Sequence, residues 1–326
     1  MARALVLGGA GFIGQHLVAR LAEDGHAVTV VDDLSRGRLD RELTALRARG
    51  VALVERDLTR ADALEGIARA WDQVYMLAAV VGVRNVERDP ARVMRVNGLA
   101  TLHLLDWLPG DGEILFFAST SEAYAGGVMN GTVPVPTPEA VALSVPDVKA
   151  PRFAYAVSKI FGEAAVAHHG RARAARVVIG RFHNVYGPRM GADHVIPELA
   201  LRALRDEDPF RIYGAEQRRA FCHVSDAVEA MTRLMATPAA LGEIVNIGND
   251  AEETLVEDLV GLVLRVAGRR PRLERLPAPT GSVARRCPDI SRLRALTGFA
   301  PKTSLETGVE ETFAWYRDWW ERQGRP

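Results

Sequence analysis

Short apolar runs alternate with amphipathic stretches along the N-terminal half of the chain. The apolar runs, which predict strands, cover residues 4–7, 27–31, 51–55, 74–77, 114–118 and 176–181. The stretches between them, which predict helices, cover residues 11–24, 62–70, 90–107 and 153–169. Strands that alternate with helices in this way are typical of βαβ units, which build a parallel sheet. Because the first run is wholly apolar, it fits a sheet that helices cover on both faces.

The pattern becomes less regular after about residue 184. Further helices are predicted at residues 197–205, 224–235, 255–267 and 305–320, a strand at 244–247 and a loop at 131–151. We therefore predict an α/β fold with a doubly wound parallel sheet over residues 1–184, to which a segment at about 220–250 returns. Residues 185–326 are predicted to form most of a smaller C-terminal α/β lobe.

A glycine-rich turn, Gly-Gly-Ala-Gly-Phe-Ile-Gly at residues 8–14, joins the first predicted strand to the first helix. Glycines permit a tight turn and close approach to a pyrophosphate, and the helix N-terminus offers free N–H groups. Asp32 ends the second strand about twenty residues later, where a carboxylate binds ribose hydroxyls and repels a 2′-phosphate. The pattern predicts a Rossmann-type site for NAD, and the nearby Arg36 and Arg38 keep NADP as the alternative.

Tyr155 and Lys159 stand four residues apart, so both lie on one face of a predicted helix. A free phenol is a weak base at neutral pH. A neighbouring ammonium and a positive nicotinamide ring both favour the phenolate, so we expect the pKa of Tyr155 to be lowered. Tyr155 would then take a proton from a substrate hydroxyl while a hydride leaves.

Thr120 and Glu122 follow the strand predicted at residues 114–118. Ligands of open parallel sheets bind at the carboxyl ends of the strands, so these side chains are expected to face the substrate. Thr120 would hydrogen-bond the oxygen that is oxidised. Glu122 would serve as a general acid or base at a second carbon, with a helix-capping charge as the alternative.

These motifs resemble the extended short-chain dehydrogenase/reductase superfamily, which includes NAD-dependent nucleotide-sugar epimerases, dehydratases and decarboxylases. The matching segments are residues 8–14, 57–58, 77–79, 97–101, 119–124, 155–159, 181–188 and 286–289. The resemblance implies NAD as the cofactor and a nucleotide sugar, with a UDP-sugar favoured, as the substrate. It also implies that the C-terminal lobe binds the nucleotide sugar.

Residues are assigned to the site by these motifs and by the resemblance together. The cofactor-binding residues are Gly8, Gly11, Phe12, Ile13, Gly14, Asp32, Asp57, Leu58, Leu77, Ala78, Ala79, Asn97, Tyr155 and Lys159. The catalytic residues are Tyr155, Lys159, Thr120, Glu122 and Arg219. The substrate-binding residues are Ser121, Asn184, Arg219 and Arg286. Asn184 and the two arginines would hold the diphosphate, since a guanidinium matches phosphate geometry, and Arg219 would alternatively meet a carboxylate.

The Ser-Thr-Ser-Glu sequence at residues 119–122 is similar to that of UDP-glucuronate decarboxylases, the UDP-xylose synthases. That resemblance implies oxidation at C4, loss of CO₂ and formation of UDP-xylose or its 4-keto form. Two alternatives stay open. One is a nucleotide-sugar 4-epimerase or a 4,6- or 5,6-dehydratase acting on a UDP-, dTDP- or GDP-hexose. The other is a non-catalytic, NAD-sensing regulatory Rossmann protein.

Bulk properties restrict the partners and the location. The 41 Lys and Arg residues equal the 41 Asp and Glu residues, so we expect binding neither to nucleic acid nor to a membrane. Cys222 and Cys287 lack the spacing of metal ligands, and we expect no metal. A signal peptide is not recognisable, so we expect a cytoplasmic protein. Superfamily members often dimerise through the helices predicted at residues 90–107 and 153–169, so a homodimer is predicted.

Overall fold

The computed structural model describes residues 1–110, 112–173, 176–279 and 281–322. The strands are β1 (Arg3–Leu7), β2 (Ala27–Asp32), β3 (Ala52–Glu55), β4 (Gln73–Met76), β5 (Ile114–Thr120), β6 (Arg176–Phe182), β7 (Val185–Tyr186), β8 (Phe210–Tyr213), β9 (Arg218–Ala220), β10 (Cys222–His223), β11 (Ile244–Ile247), β12 (Glu253–Leu255), β13 (Leu273–Leu276) and β14 (Arg285–Arg286). The helices are α1 (Phe12–Glu23), α2 (Arg41–Ala48), α3 (Val83–Arg88), α4 (Pro90–Trp107), α5 (Ala125–Met129), α6 (Ala154–Arg173), α7 (Val195–Leu204), α8 (Val224–Ala236), α9 (Val256–Ala267), α10 (Ser291–Thr297) and α11 (Leu305–Arg322). Short 3₁₀ turns cover Ser121–Tyr124, Pro151–Phe153 and Pro238–Ala240.

A seven-stranded sheet in the order β11-β6-β5-β4-β1-β2-β3 forms the centre of the molecule. Every neighbouring pair in this sheet is parallel. Helices α1 and α8 pack on one face, and helices α4 and α6 pack on the other. The prediction of a doubly wound, Rossmann-type parallel sheet is therefore confirmed.

Strand β1 explains why its sequence is apolar without interruption. Side chains alternate between the two faces of a sheet. Ala4 and Val6 pack into the core shared with α1 and α8, whereas Leu5 and Leu7 pack into the core shared with α4 and α6. All four side chains are fully buried, so this central strand lies between two helical layers.

A smaller unit is built from the C-terminal elements. Strands β9, β12 and β14 form one small sheet, and β8 pairs with β13 in another. Helices α7, α9 and α11 enclose an apolar core to which Phe210, Leu259 and Trp320 contribute. Strand β11 forms the edge of the large sheet beside β6, and α8 packs against that sheet, so the segment between them returns to the first unit.

One predicted helix is wrong, and α2 is among the shorter helices that were not predicted. Residues 62–70 form turns, because Gly66 takes a φ of +77° that interrupts any helix there, although Ala63 and Leu64 are buried as a helix would require. Helix α2 was not predicted, since Leu43 and Leu46 are its only buried side chains and give a weak apolar pattern. Its start is fixed by Asp40, whose carboxylate accepts a hydrogen bond from the Leu43 N–H.

No helix in the described part of the chain combines the length and the apolar character that crossing a membrane requires.

Candidate active site

A deep cleft of about 710 Å³ opens at the carboxyl ends of β1, β2, β4 and β5. Its lining includes these predicted cofactor residues: Gly8, Gly11, Phe12, Ile13, Gly14, Asp32, Asp57, Leu58, Leu77, Ala78, Ala79, Tyr155 and Lys159. It also includes these predicted catalytic and substrate residues: Thr120, Ser121, Glu122, Asn184 and Arg286. The glycine turn, the Tyr-Lys pair and the predicted substrate residues therefore share one continuous space. Asn97 and Arg219 are the two predicted residues that do not line it.

The glycine turn leaves no room for side chains and presents backbone N–H groups to the cleft. A Cβ added to Gly8, whose φ is +84°, would lie 2.5 Å from the Ala78 nitrogen, and one added to Gly14 would lie 2.2 Å from the Gly8 oxygen. Helix α1 begins after Gly11 without a side-chain cap. Uncapped N–H groups and the positive end of the helix dipole are what a pyrophosphate needs, so this turn fits a dinucleotide.

Asp32 is held in place at the end of β2 by two backbone groups. Its carboxylate oxygens accept one hydrogen bond each from the N–H groups of Ala10 (3.0 Å) and Leu34 (2.9 Å). Burial raises its pKa, and these two hydrogen bonds oppose the rise. The remaining lone pairs are free to accept ribose hydroxyls. The guanidinium of Arg36 donates to the carbonyl of Val81, which places it on the loop that follows β4.

Tyr155 and Lys159 project from α6 toward the end of β5. The Lys159 ammonium donates to the Ala118 carbonyl (2.7 Å) and lies 4.8 Å from the centre of the Phe117 ring. Burial lowers the pKa of Lys159 to about 8. A hydrogen bond with the side chain of Thr120 acts on Tyr155. The phenol therefore stands between a hydroxyl from the strand and the interior of the cleft.

The expected lowering of the Tyr155 pKa is wrong for the chain by itself. Burial raises the pKa of this phenol well above its ordinary value, and the charge of Glu122 raises it further. The hydrogen bond with Thr120 and the charge of Arg36 lower the pKa, but by less. Desolvation therefore outweighs the favourable neighbours, and additional positive charge is required before the phenolate becomes abundant near neutral pH.

Glu122 lies within a group of arginine side chains. The Arg286 guanidinium donates to its carboxylate at 2.8 Å, and the charges of Arg152 and Arg219 also act on it. Burial raises the pKa of Glu122, yet the three arginines outweigh this effect and leave the pKa below its ordinary value. The charge pair with Arg286 therefore favours the carboxylate form of Glu122.

The chain resembles a known protein family, several characterised relatives and several solved structures. The family model described as "NAD dependent epimerase/dehydratase family" matches residues 4–248. The chain belongs to this family. UDP-glucuronic acid decarboxylase 1 from Xenopus tropicalis is 31% identical over 324 residues, covering 98% of this chain and 73% of that protein. UDP-N-acetyl-alpha-D-glucosaminuronate decarboxylase from Bacillus cytotoxicus is 30% identical, covering 97% and 98%. The solved UDP-glucose 4-epimerase from Thermotoga maritima superposes with a TM-score of 0.85 at 30% identity, covering 97% and 99%.

Membership of this epimerase/dehydratase family confirms the predicted superfamily and an enzyme that uses NAD and a nucleotide sugar.

Asn97 supports the family's cofactor cleft from outside it. Its amide oxygen accepts the Val80 N–H (2.8 Å), and its amide nitrogen donates to the Val80 carbonyl (3.2 Å) and the Ser158 hydroxyl (3.0 Å). Asn97 therefore fixes the loop after β4 to α6, and its assignment as a cofactor contact stays a prediction.

Arg219 also lies outside the cleft lining, although it adjoins Arg286. Strands β9 and β14 are parallel with Arg219 opposite Arg286. The Arg219 guanidinium donates to the carbonyls of Arg218 (2.8 Å) and Ala284 (3.2 Å) and to the Gln217 amide oxygen (2.9 Å). Burial and the charge of Arg286 lower its pKa to about 10. A direct contact between Arg219 and substrate stays a prediction.

Arg189 holds the glycine turn from the opposite unit, and sequence reasoning missed it. Its buried guanidinium donates to the carbonyls of Ala10 (2.9 Å), Gly11 (3.0 Å) and Arg38 (2.9 Å) and to the Asp40 carboxylate (2.6 Å). Its φ of +70° is uncommon for a residue with a side chain. Two of the four contacts hold carbonyl oxygens of the turn itself, those of Ala10 and Gly11, and so help to fix its conformation.

A second missed group is a buried network beneath the catalytic residues. Glu163 follows Lys159 by one helical turn and forms a two-point contact with Arg181 at 2.8 and 2.6 Å. The Ser119 hydroxyl donates to the same carboxylate. Glu163 also raises the pKa of Lys159, against the larger effect of burial. Its spacing of four from Lys159 is the sequence signal that could have found it.

Proposed function

We propose that the chain is an NAD-dependent decarboxylase of a UDP-sugar acid, which converts UDP-glucuronate to UDP-xylose or its 4-keto form. The observation that carries the proposal is the pairing of Glu122 with Arg286 (2.8 Å) in the cleft of the glycine turn, whose lining also includes Arg152 and Tyr155. Arginine side chains suit an anionic sugar. The decarboxylase names of two relatives point in the same direction.

Bound NAD would supply the hydride acceptor and a positive ring that lowers the pKa of Tyr155. Tyr155 then takes the proton from the C4 hydroxyl, and the hydroxyl of Thr120 hydrogen-bonds the C4 oxygen. Lys159 keeps a positive charge one turn from the phenol. The glycine turn and Asp32 hold the pyrophosphate and the adenosine ribose respectively.

Oxidation at C4 makes the sugar a β-keto acid. Loss of CO₂ leaves an electron pair that is delocalised onto the C4 oxygen as an enolate, and Thr120 and Tyr155 stabilise this oxyanion. With NAD bound as the hydride carrier, protonation at C5 and return of the hydride to C4 would give the pentose, whereas release before that return would give the 4-keto product. Ser121, Asn184, Arg219 and Arg286 would bind the rest of the nucleotide sugar.

The test is incubation of the purified chain with NAD⁺ and UDP-glucuronate, followed by mass spectrometry of the nucleotide sugar. The expected result is a product lighter by CO₂. UDP-N-acetylglucosaminuronate and UDP-glucose are run in parallel. The 4-epimer of UDP-glucose has the same mass as UDP-glucose, so the two are separated by anion-exchange chromatography. An unchanged uronate beside epimerised UDP-glucose would contradict the proposal and favour a 4-epimerase, the activity named for the solved Thermotoga maritima relative.

We also propose that the chain forms a homodimer through α4 and α6. Met94, Gly98 and Leu102 are spaced by four along α4, and Met94 and Leu102 are exposed. The exposed Phe161 ring of α6 lies against Gly98, where an added Cβ would be 4.0 Å away. This continuous apolar face suits a second copy of the chain.

Light scattering after size-exclusion chromatography tests the dimer. We expect twice the monomer mass for the wild type and the monomer mass for Phe161→Glu. A monomeric wild type would contradict the proposal. A cytoplasmic location stays a prediction, which fractionation of expressing cells tests.

A further inference from the structure

Arg152 lines the cleft but has no part in the chemistry described above. It lies in the 3₁₀ turn Pro151–Phe153, three residues before Tyr155. Its side chain is half-buried, and its Nε is fully shielded from solvent. Among the residues that the structure describes, nothing accepts a hydrogen bond from this Nε. A buried donor without an acceptor costs stability, so the unpaired Nε of Arg152 points to a ligand that supplies the acceptor.

The surroundings of Arg152 fix its direction. A Cβ added to Gly281 would lie 3.1 Å from the Arg152 Cδ and 3.5 Å from its Nε, so the side chain lies against the loop that leads to Arg286. Its charge acts on both Glu122 and Arg219. The guanidinium therefore belongs to the same charged group as Arg286, on the side of the cleft that carries Tyr155.

The charge balance of this group favours an anion. Glu122 accepts a direct hydrogen bond from Arg286, and the charges of Arg152 and Arg219 also act on this one carboxylate. Arg219 is already bound to backbone carbonyls. Arg152 is thus the arginine whose hydrogen-bonding capacity is least used, and a carboxylate matches its planar donors.

The position of Arg152 favours the sugar carboxylate over the diphosphate. In a hexuronate the carboxyl carbon is bonded to C5, and C5 is bonded to the C4 whose hydroxyl Tyr155 deprotonates. A residue that flanks Tyr155 therefore faces the region of the carboxylate. We propose that Arg152 binds this carboxylate and selects sugar acids over neutral hexoses. The inference rests on the proposed function and deepens it.

The reaction itself predicts how the loss of Arg152 appears in the kinetics. The carboxylate loses its charge as CO₂ forms, so its attraction to Arg152 is strongest before the transition state. Removing the guanidinium should raise KM for UDP-glucuronate by about tenfold to a hundredfold, the effect of losing a charged hydrogen bond. The same change should not lower kcat.

The test compares Arg152→Met with the wild type loaded with NAD⁺, using titration calorimetry with UDP-glucuronate, UDP-glucose and UDP. Methionine keeps the stem that packs against Gly281. Arg152→Lys should recover part of the affinity. Lys149→Leu is the matched control, because it removes one positive charge from the exposed surface of the same segment. We expect Arg152→Met to bind UDP-glucuronate more weakly than the wild type does, with unchanged affinity for UDP-glucose and UDP. Lys149→Leu should bind all three ligands as the wild type does.

Equal loss for all three ligands would overturn the inference, because Arg152 would then hold the diphosphate. Unchanged affinity for UDP-glucuronate would also overturn it. Release of CO₂ is measured separately. If the wild type decarboxylates UDP-glucuronate while Arg152→Met keeps its preference for that ligand, this inference is wrong and the proposed function stands. If the wild type binds UDP-glucuronate through Arg152 but releases no CO₂, the proposed function is wrong and this inference stands.

Discussion

Replacing Arg189 tests whether the second unit of the fold holds the cofactor turn in its binding conformation. The Arg189 side chain is 5% exposed, and its partner Asp40 is 23% exposed. Arg189→Lys keeps a positive charge near Asp40. A lysine ammonium, however, cannot reproduce the planar set of donors that reaches Ala10, Gly11 and Arg38 together.

The expected size follows from the bonds to Ala10 and Gly11. Each is a hydrogen bond from a charged donor and contributes about 1.5 kcal/mol, so the two contribute about 3 kcal/mol. If the whole of this were needed to restore the turn, the Kd for NAD⁺ would rise about a hundredfold. Water at the mouth of the cleft replaces part of the loss, so we expect a rise of about tenfold.

Calorimetric titration of NAD⁺ into the folded protein measures this change. Arg202→Lys is the matched control, because Arg202 binds Glu207 at two points (2.8 Å each) but does not line the cleft. We expect both variants to unfold at a lower temperature and only Arg189→Lys to bind NAD⁺ more weakly. Equal affinity in Arg189→Lys and the wild type would refute the positioning role of Arg189.

Three further predictions concern the catalytic residues. Tyr155→Phe should lower kcat by at least about a hundredfold, measured by product formation. Glu122→Gln should lower kcat while Arg286→Lys mainly raises KM, which steady-state kinetics separate. Because the pKa of Lys159 is depressed to about 8, the unfolded chain binds more protons there above that pH. The stabilising effect of Lys159→Met, measured by urea unfolding, should therefore be constant below about pH 8 and shrink between about pH 8 and 10.5.

The parts of the site that local sequence patterns alone predicted are those whose residues lie close along the chain. The glycine turn is one continuous segment, and Tyr155 and Lys159 are one helical turn apart. Arg189 was missed because its acceptor at Ala10 lies 179 residues away. No local pattern distinguishes such an arginine from an exposed one. Arg152 was missed for the same reason, since its neighbours come from the turn that follows β5 and from the loop before β14.

The raised pKa of Tyr155 shows a different limit of sequence reasoning. A Tyr and a Lys at this spacing predict a charge pair, but the direction of a pKa also depends on how much water the fold removes. Here the Lys159 ammonium donates a hydrogen bond to the Ala118 carbonyl. Burial of the Tyr155 phenol is the largest effect on the pKa of that phenol. Only the assembled cleft contains that information.

The parallel pairing of β9 with β14 places two like charges side by side. Arg219 and Arg286 are in register, and side chains in register lie on the same face of a sheet. Like charges in this arrangement destabilise the folded chain, and the charge of Arg286 adds to the larger effect of burial in lowering the pKa of Arg219. Glu122 offsets part of it through Arg286. Since apolar residues would pack here at less cost, the arginine pair is better explained by an anionic substrate than by stability of the lobe.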